Sequence, residues 1–117
     1  MAYALVIMEQ RGDREARTEA EGRALYDRMV RFSDDLKQRG LLTLSQSLKS
    51  DANATRMARR EQRWSVHDGP FAEAREMVGG FFLLTVESRE QALAIARDCP
   101  AAEWATVEVR ELGPCFS

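Results

Sequence analysis

Residues 3–8 are apolar at every position, which predicts a central strand buried on both faces. Residues 10–19 are polar and charged and read as a loop or the frayed start of a helix. From about residue 20 to 39, Leu25, Met29, Phe32 and Leu36 recur at helical spacing along one stripe, and Gly40 supplies the stop. Leu42, Leu44 and Leu48 alternate with polar residues in a strand, and Asp51-Ala52-Asn53 follows as a turn. Residues 54–60 and 62–67 pair as a hairpin turning at Glu61, with Trp64 and Val66 on the second arm. Residues 80–86 form another apolar strand. Ser88, three residues before Gln91, has capping-box spacing and opens a second helix with Ala92, Leu93 and Ala96 inward, ending before Pro100. A last strand has Ala105, Val107 and Val109 on its apolar face and polar residues on the other.

The order β-α-β-(β-β)-β-α-β predicts an α+β sandwich, two helices on one face of a mainly antiparallel sheet, similar to the ferredoxin-like plan with an added hairpin. At 117 residues the chain is a single domain, 1–117. Helices on one face leave the other side of the two apolar strands uncovered. Self-complementary pairing into a homodimer is the expected cover.

Hydrophobic residues make up 44% and charged residues 31%, the balance of a globular protein. A net charge of −2 and a pI near 5.5 argue against a general electrostatic grip on nucleic acid or on an anionic membrane. No apolar run approaches the roughly 18 residues of a membrane span, and the start enters a strand pattern without a basic leader, so the expected location is cytoplasmic. The single histidine, His67, and two distant cysteines, Cys99 and Cys115, cannot assemble a His/Cys metal cluster. Neither a dinucleotide-binding nor a phosphate-loop glycine pattern is present, so no metal and no cofactor is expected. Cys99, at a helix C-terminus whose dipole opposes thiolate formation, reads as structural.

Chemistry concentrates in residues 68–80. Asp68-Gly69-Pro70 is a tight-turn sequence that would hold the Asp68 carboxylate in place, either as a tie to backbone amides or as a proton acceptor beside His67. On a helical turn Glu73 and Glu76 would share a face, as a carboxylate pair or as a solvated surface. Gly79-Gly80 lets the backbone approach a ligand closely. Arg56, Arg59, Arg60 and Arg63 form the densest basic cluster, with Arg56 and Arg60 on one face of the hairpin; Arg56 is placed to hold a bound carboxylate or Asp68 itself. The resulting ligand-binding set is Arg56, Gly69, Pro70, Phe71, Glu73, Glu76, Gly79 and Gly80, with Asp68 and His67 as the catalytic pair.

The words Asp68-Gly-Pro-Phe71, Glu73 and Gly79-Gly80-Phe81 resemble the namesake motif of the DGPF-domain proteins, a branch of the YCII-related family, and the resemblance runs over nearly the whole chain. It implies a bacterial protein of the same fold, a dimeric small-molecule-binding or accessory regulatory domain. The rival reading of the residues is a small lyase or hydrolase using Asp68 with His67; the resemblance also suggests an interaction module linked to an extracytoplasmic-function sigma factor. The histidine and aspartate proposed as catalytic in some members do not transfer, because Met29 and Cys99 stand at the corresponding points.

Overall fold

A computed structural model describes residues 2–117. The chain forms β1 (Ala2–Gln10), α1 (Asp13–Ala16), α2 (Glu19–Gln38), β2 (Leu42–Ser47), a 3-10 turn (Asp51–Asn53), β3 (Thr55–Arg60), β4 (Arg63–Asp68), β5 (Glu76–Thr85), α3 (Arg89–Asp98), a second 3-10 turn (Pro100–Glu103) and β6 (Thr106–Glu111). Four strands make an antiparallel sheet in the order β2-β5-β1-β6, and β3 with β4 forms a separate two-stranded sheet. The architecture is α+β and compatible with the ferredoxin-like plan. Among the described residues no helix is long and apolar enough to cross a membrane.

Alternation decides which side chains enter the core. On β1, Tyr3, Leu5 and Ile7 face the helices, while Ala4, Val6 and Met8 face outward and are half-buried. Phe82 and Leu84 of β5 join the inward set, with Val107 and Val109 of β6 packed beside them. The register slips once. Ile7 pairs with Gly80 and Met8 with Val78, so Gly79 is the extra residue of a bulge.

The predicted helices are present with shifted details. α2 begins in a capping box, Thr18 Oγ1 accepting from the Glu21 amide at 3.1 Å and Glu21 Oε1 from the Thr18 amide at 2.9 Å. On α3 the Ser88 hydroxyl accepts from the Gln91 amide at 3.1 Å. The inward residues of α3 are Ala92, Ile95 and Ala96, whereas Leu93 is only half-buried. Residues 13–16, expected as loop or frayed helix, form the short polar α1, a third helix. The hairpin forms with Glu61 and Gln62 both at positive φ, 51° and 65°, the backbone that a two-residue hairpin turn of type I′ requires.

The apolar stripe of α2 is not equally engaged along its length. Leu36 is fully buried, but Leu25, Met29 and Phe32 are only half-buried. The sheet beneath the helix explains the difference. Under the C-terminal half lie Leu5, Phe82 and Leu84; toward the other end Ser45 and Ser47 of β2 and Gly80 of β5 stand in the inward positions. The Ser33 and Ser45 hydroxyls meet at 2.6 Å where the packing gives way. Small side chains there cannot fill the space below a straight helix, so an open cleft remains.

Leu36→Ala should therefore lower stability by about 2–5 kcal/mol, and Met29→Ala by less than half as much, because Met29 only flanks the core cluster and turns part of its surface to the cleft. Urea unfolding midpoints of the two variants check this; equal losses would mean that both halves of α2 pack alike.

Candidate functional site

The inward phase of β1 does not end with its apolar residues. Alternation carries Glu9 inward after Tyr3, Leu5 and Ile7, and Glu9 is only 8% exposed. A buried carboxylate is tolerated when it is paired and hydrogen-bonded. Arg14, on α1 just beyond the strand, meets both needs: its Nε donates to Glu9 Oε1 at 2.5 Å and its Nη2 to Oε2 at 3.0 Å. Nη2 also donates to the Leu48 carbonyl at 2.9 Å, tying the exit of β2 to α1. Gly79 makes room for the pair, since a Cβ there would lie 1.9 Å from Glu9 Oε2.

This pair sits at the floor of the cleft between α2 and the sheet, a cavity of about 530 Å³. Leu25 and Met29 of α2, Phe82 of β5 and Trp104 give it apolar walls, and Ser33, Ser45 and Ser47 bring hydroxyls. Trp104 is held from outside by the Arg28 guanidinium, 5.4 Å from its ring centre, with Arg28 also paired to Glu103. That pairing pushes the Arg28 pKa up and holds the Glu103 carboxyl below its usual range. The volume lies in the range of about 300–1,000 Å³ typical of small-molecule sites.

The loop at 68–75 is built differently, with its polar groups committed to one another. Arg11 donates through both Nη atoms to Asp51 and through Nε to the Ala74 carbonyl at 2.7 Å. The Arg11 hydrogen bonds hold the Asp51 carboxyl below the usual carboxylate range, against the opposing effect of burial, and the Phe71 amide and the Arg56 charge add to the lowering. Gly69 donates to the Ala54 carbonyl at 2.8 Å and is pressed against the 3-10 turn so closely that a Cβ would fall 1.7 Å from the Asp51 carbonyl oxygen. The Gly69–Pro70 peptide is cis. Phe71 is buried, and the Arg56 guanidinium lies 3.8 Å from its ring centre. These contacts join the hairpin to the main sheet.

The predicted site residues consequently separate. His67 pairs with Arg56 across the hairpin and Asp68 with Thr55, so His67 and Asp68 point to opposite faces, and both are exposed. Asp68 accepts from the Thr55 hydroxyl at 2.8 Å. Arg56 reaches Phe71 and, at 3.8 Å, Glu73, rather than Asp68. Glu73 and Glu76 do not share a helical turn: Glu73 lies in a turn, while Glu76 begins β5, because the chain extends there to pair with Gln10. Arg56, Phe71 and Glu76 border a second hollow, about 570 Å³, that also reaches Met8 and Val78 on the outward side of the sheet. Pro70 is exposed. Gly79 and Gly80 belong to the α2 cleft instead. Burial raises the Cys99 thiol pKa, and Cys115 is exposed. Among the described residues no three His, Cys, Asp or Glu side chains gather as a metal-holding group.

The candidate binding residues not singled out from the sequence are Glu9, Arg14, Arg17, Ser45 and Ser47. A signal existed for Glu9, whose parity with Ile7 places it inward. Ser45 and Ser47 share one strand face in the same way, opposite Phe82 and Gly80.

Comparison with known families places the chain plainly: it belongs to the YCII-related domain family, whose model matches residues 1–115. No curated protein sequence matches it.

Gly79→Ala should destabilise the fold by about 1–3 kcal/mol, because the new methyl must displace the Glu9–Arg14 pair. Chemical denaturation measures the loss, and an unchanged midpoint would show that the pair relocates freely.

Proposed function

We propose that this protein is a small-molecule-binding domain whose ligand occupies the cleft between α2 and the sheet. The observation that carries the reading is the 530 Å³ space left where serines and glycines replace core side chains beneath a helix, with the half-buried Glu9–Arg14 ion pair at its floor. Stability alone would favour large apolar residues at those positions. Binding is favoured over turnover. Among the described residues lining the cleft there is no histidine or cysteine, and both carboxylates, Glu9 and Glu19, are paired with arginines. An accessory or regulatory use of the bound ligand is consistent with that chemistry.

Gly22 offers a direct test, because it lines the cleft from within α2 and a Cβ there meets nothing within 4 Å. Gly22→Phe should raise helix stability by a few tenths of a kcal/mol up to about 1 kcal/mol, while filling the cavity. A fragment screen read by amide NMR is expected to shift Ser45, Gly79 and Gly80 in the wild type and not in this variant. Shifts confined to residues 67–71 in both proteins would overturn the cleft reading.

We further infer a symmetric homodimer through the outward sheet face. Val6, Phe81 and Leu83 lie there, with Leu44 43% and Val78 40% exposed. Taken over the length of the six-residue outer strands β2 and β6, the four-stranded face covers roughly 19 by 20 Å, on the order of 400 Å². A stable interface needs about 800 Å² per partner. The hairpin supplies a further apolar face, Met57, Trp64 and Val66, all exposed on one side. Light scattering at micromolar concentration should give about twice the 13.3 kDa chain mass, and Val6→Glu should yield monomer. A well-folded wild-type monomer would contradict the interface.

A further inference from the structure

The charges lining the cleft do not balance. Arg14, Arg17 and Arg23 face Glu9 and Glu19, so one cation is in excess. Arg14 is taken by Glu9, and Arg23 by Glu19 at 2.9 Å. Arg17 is the remainder: it is half-buried, and among the described residues no carboxylate lies within 4.0 Å of it. Its charge reaches Glu21, where it adds to the lowering of that carboxyl, but Glu21 is exposed and engaged in the α2 capping box. Arg14 also retains donor capacity. Its Nε and Nη2 are used on Glu9 and Leu48, and among the described residues no hydrogen bond uses its Nη1.

We propose that the cleft selects a small organic monoanion, a carboxylate carried on an apolar or aromatic body. This rests on the binding reading above and adds the ligand class. Arg17, helped by Nη1 of Arg14, receives the carboxylate, because a guanidinium presents paired donors matched to that group. Met29, Phe82 and Trp104 enclose the apolar body. A neutral ligand would leave a half-buried cation unanswered, and a cationic ligand would meet the excess positive charge. A polyanion such as a nucleotide is disfavoured as well, since Glu9 and Glu19 line the same cavity.

The test uses three probes of one shape: phenylbutyrate, phenylbutanol and phenylbutylamine, titrated into the full chain and followed by the amide signals of Ser45, Gly79 and Gly80. Phenylbutyrate is expected to bind at least roughly tenfold more tightly than the alcohol, with the amine weakest. Arg17→Gln should bring the affinity of the acid down to about that of the alcohol in the same variant, erasing the advantage of the acid. Equal affinity of acid and alcohol at these amides, or preference for the amine, would overturn the anion assignment and leave the cleft as a binding site. An acid preference that persists in a folded Arg17→Gln variant would remove Arg17 from the role. If none of the three probes moves the cleft amides, both this proposal and the binding reading fall. The comparison among probes on the wild-type chain decides the ligand class whether or not the variant folds.

Discussion

A single buried carboxylate organises one end of this molecule. Glu9 arrives inside by strand parity, and the chain must then supply a cation within reach, which it does by turning directly into α1 and presenting Arg14. That requirement propagates. The strand opposite must carry glycine at 79 and accept a bulge, and the exit of β2 is drawn in by the bond from Arg14 to the Leu48 carbonyl. Arg11, a few residues earlier, performs a parallel task on the other side of the same turn, gripping Asp51 and the Ala74 carbonyl. One short segment, residues 9–14, thus anchors β5, β2 and the hairpin loop. The far end of the sheet needs no such arrangement, because there the inward positions are Leu5, Leu84 and Val109 packed under Leu36 and Ile95.

The helix α2 therefore serves two masters. Its C-terminal half closes the core, where each apolar contact contributes to stability in proportion to the area it removes from water. Its N-terminal half roofs a cavity and contributes little burial. A helix can stand partly unsupported in this way when its start is well capped, and the reciprocal Thr18–Glu21 bonds supply that. The Phe32–Phe82 edge contact, ring centres 5.4 Å apart, marks the boundary between the two regimes.

Much of the architecture was legible in the chain because it rests on periodicity. The apolar runs at 3–8 and 80–86 are the paired central strands, and the stripe from Leu25 to Leu36 is the helix that covers them. What escaped falls into two kinds. α1 is four residues with no apolar face, whereas on α3 the spacing i, i+3, i+4 from Ala92 through Ile95 to Ala96 is the helical stripe, and it turns Ile95 rather than Leu93 inward. The candidate site was less legible than the fold. Residues 68–71 drew notice because turn-forming residues are conspicuous in a sequence, but their groups bond to Thr55, Ala54 and Asp51 and knit the hairpin to the sheet. The cleft is assembled from residues far apart in the chain, of which only Gly79 and Gly80 belonged to the expected ligand-binding set. Its defining property is missing volume, and a serine at 45 or 47 reveals nothing until the strand face it occupies is known.

A cavity defined by what is small has a consequence for how such a protein can diversify. Ser45, Ser47 and Gly22 touch the void and stay clear of the buried cluster around Leu36, so exchanging them for bulkier or differently polar residues recontours the mould while the keystone of the fold is left alone. Selectivity and foldability are in this sense separately heritable. A lineage could drift from one guest to another through single substitutions at the roof and floor, each testable by selection without first passing through an unfolded intermediate in sequence space.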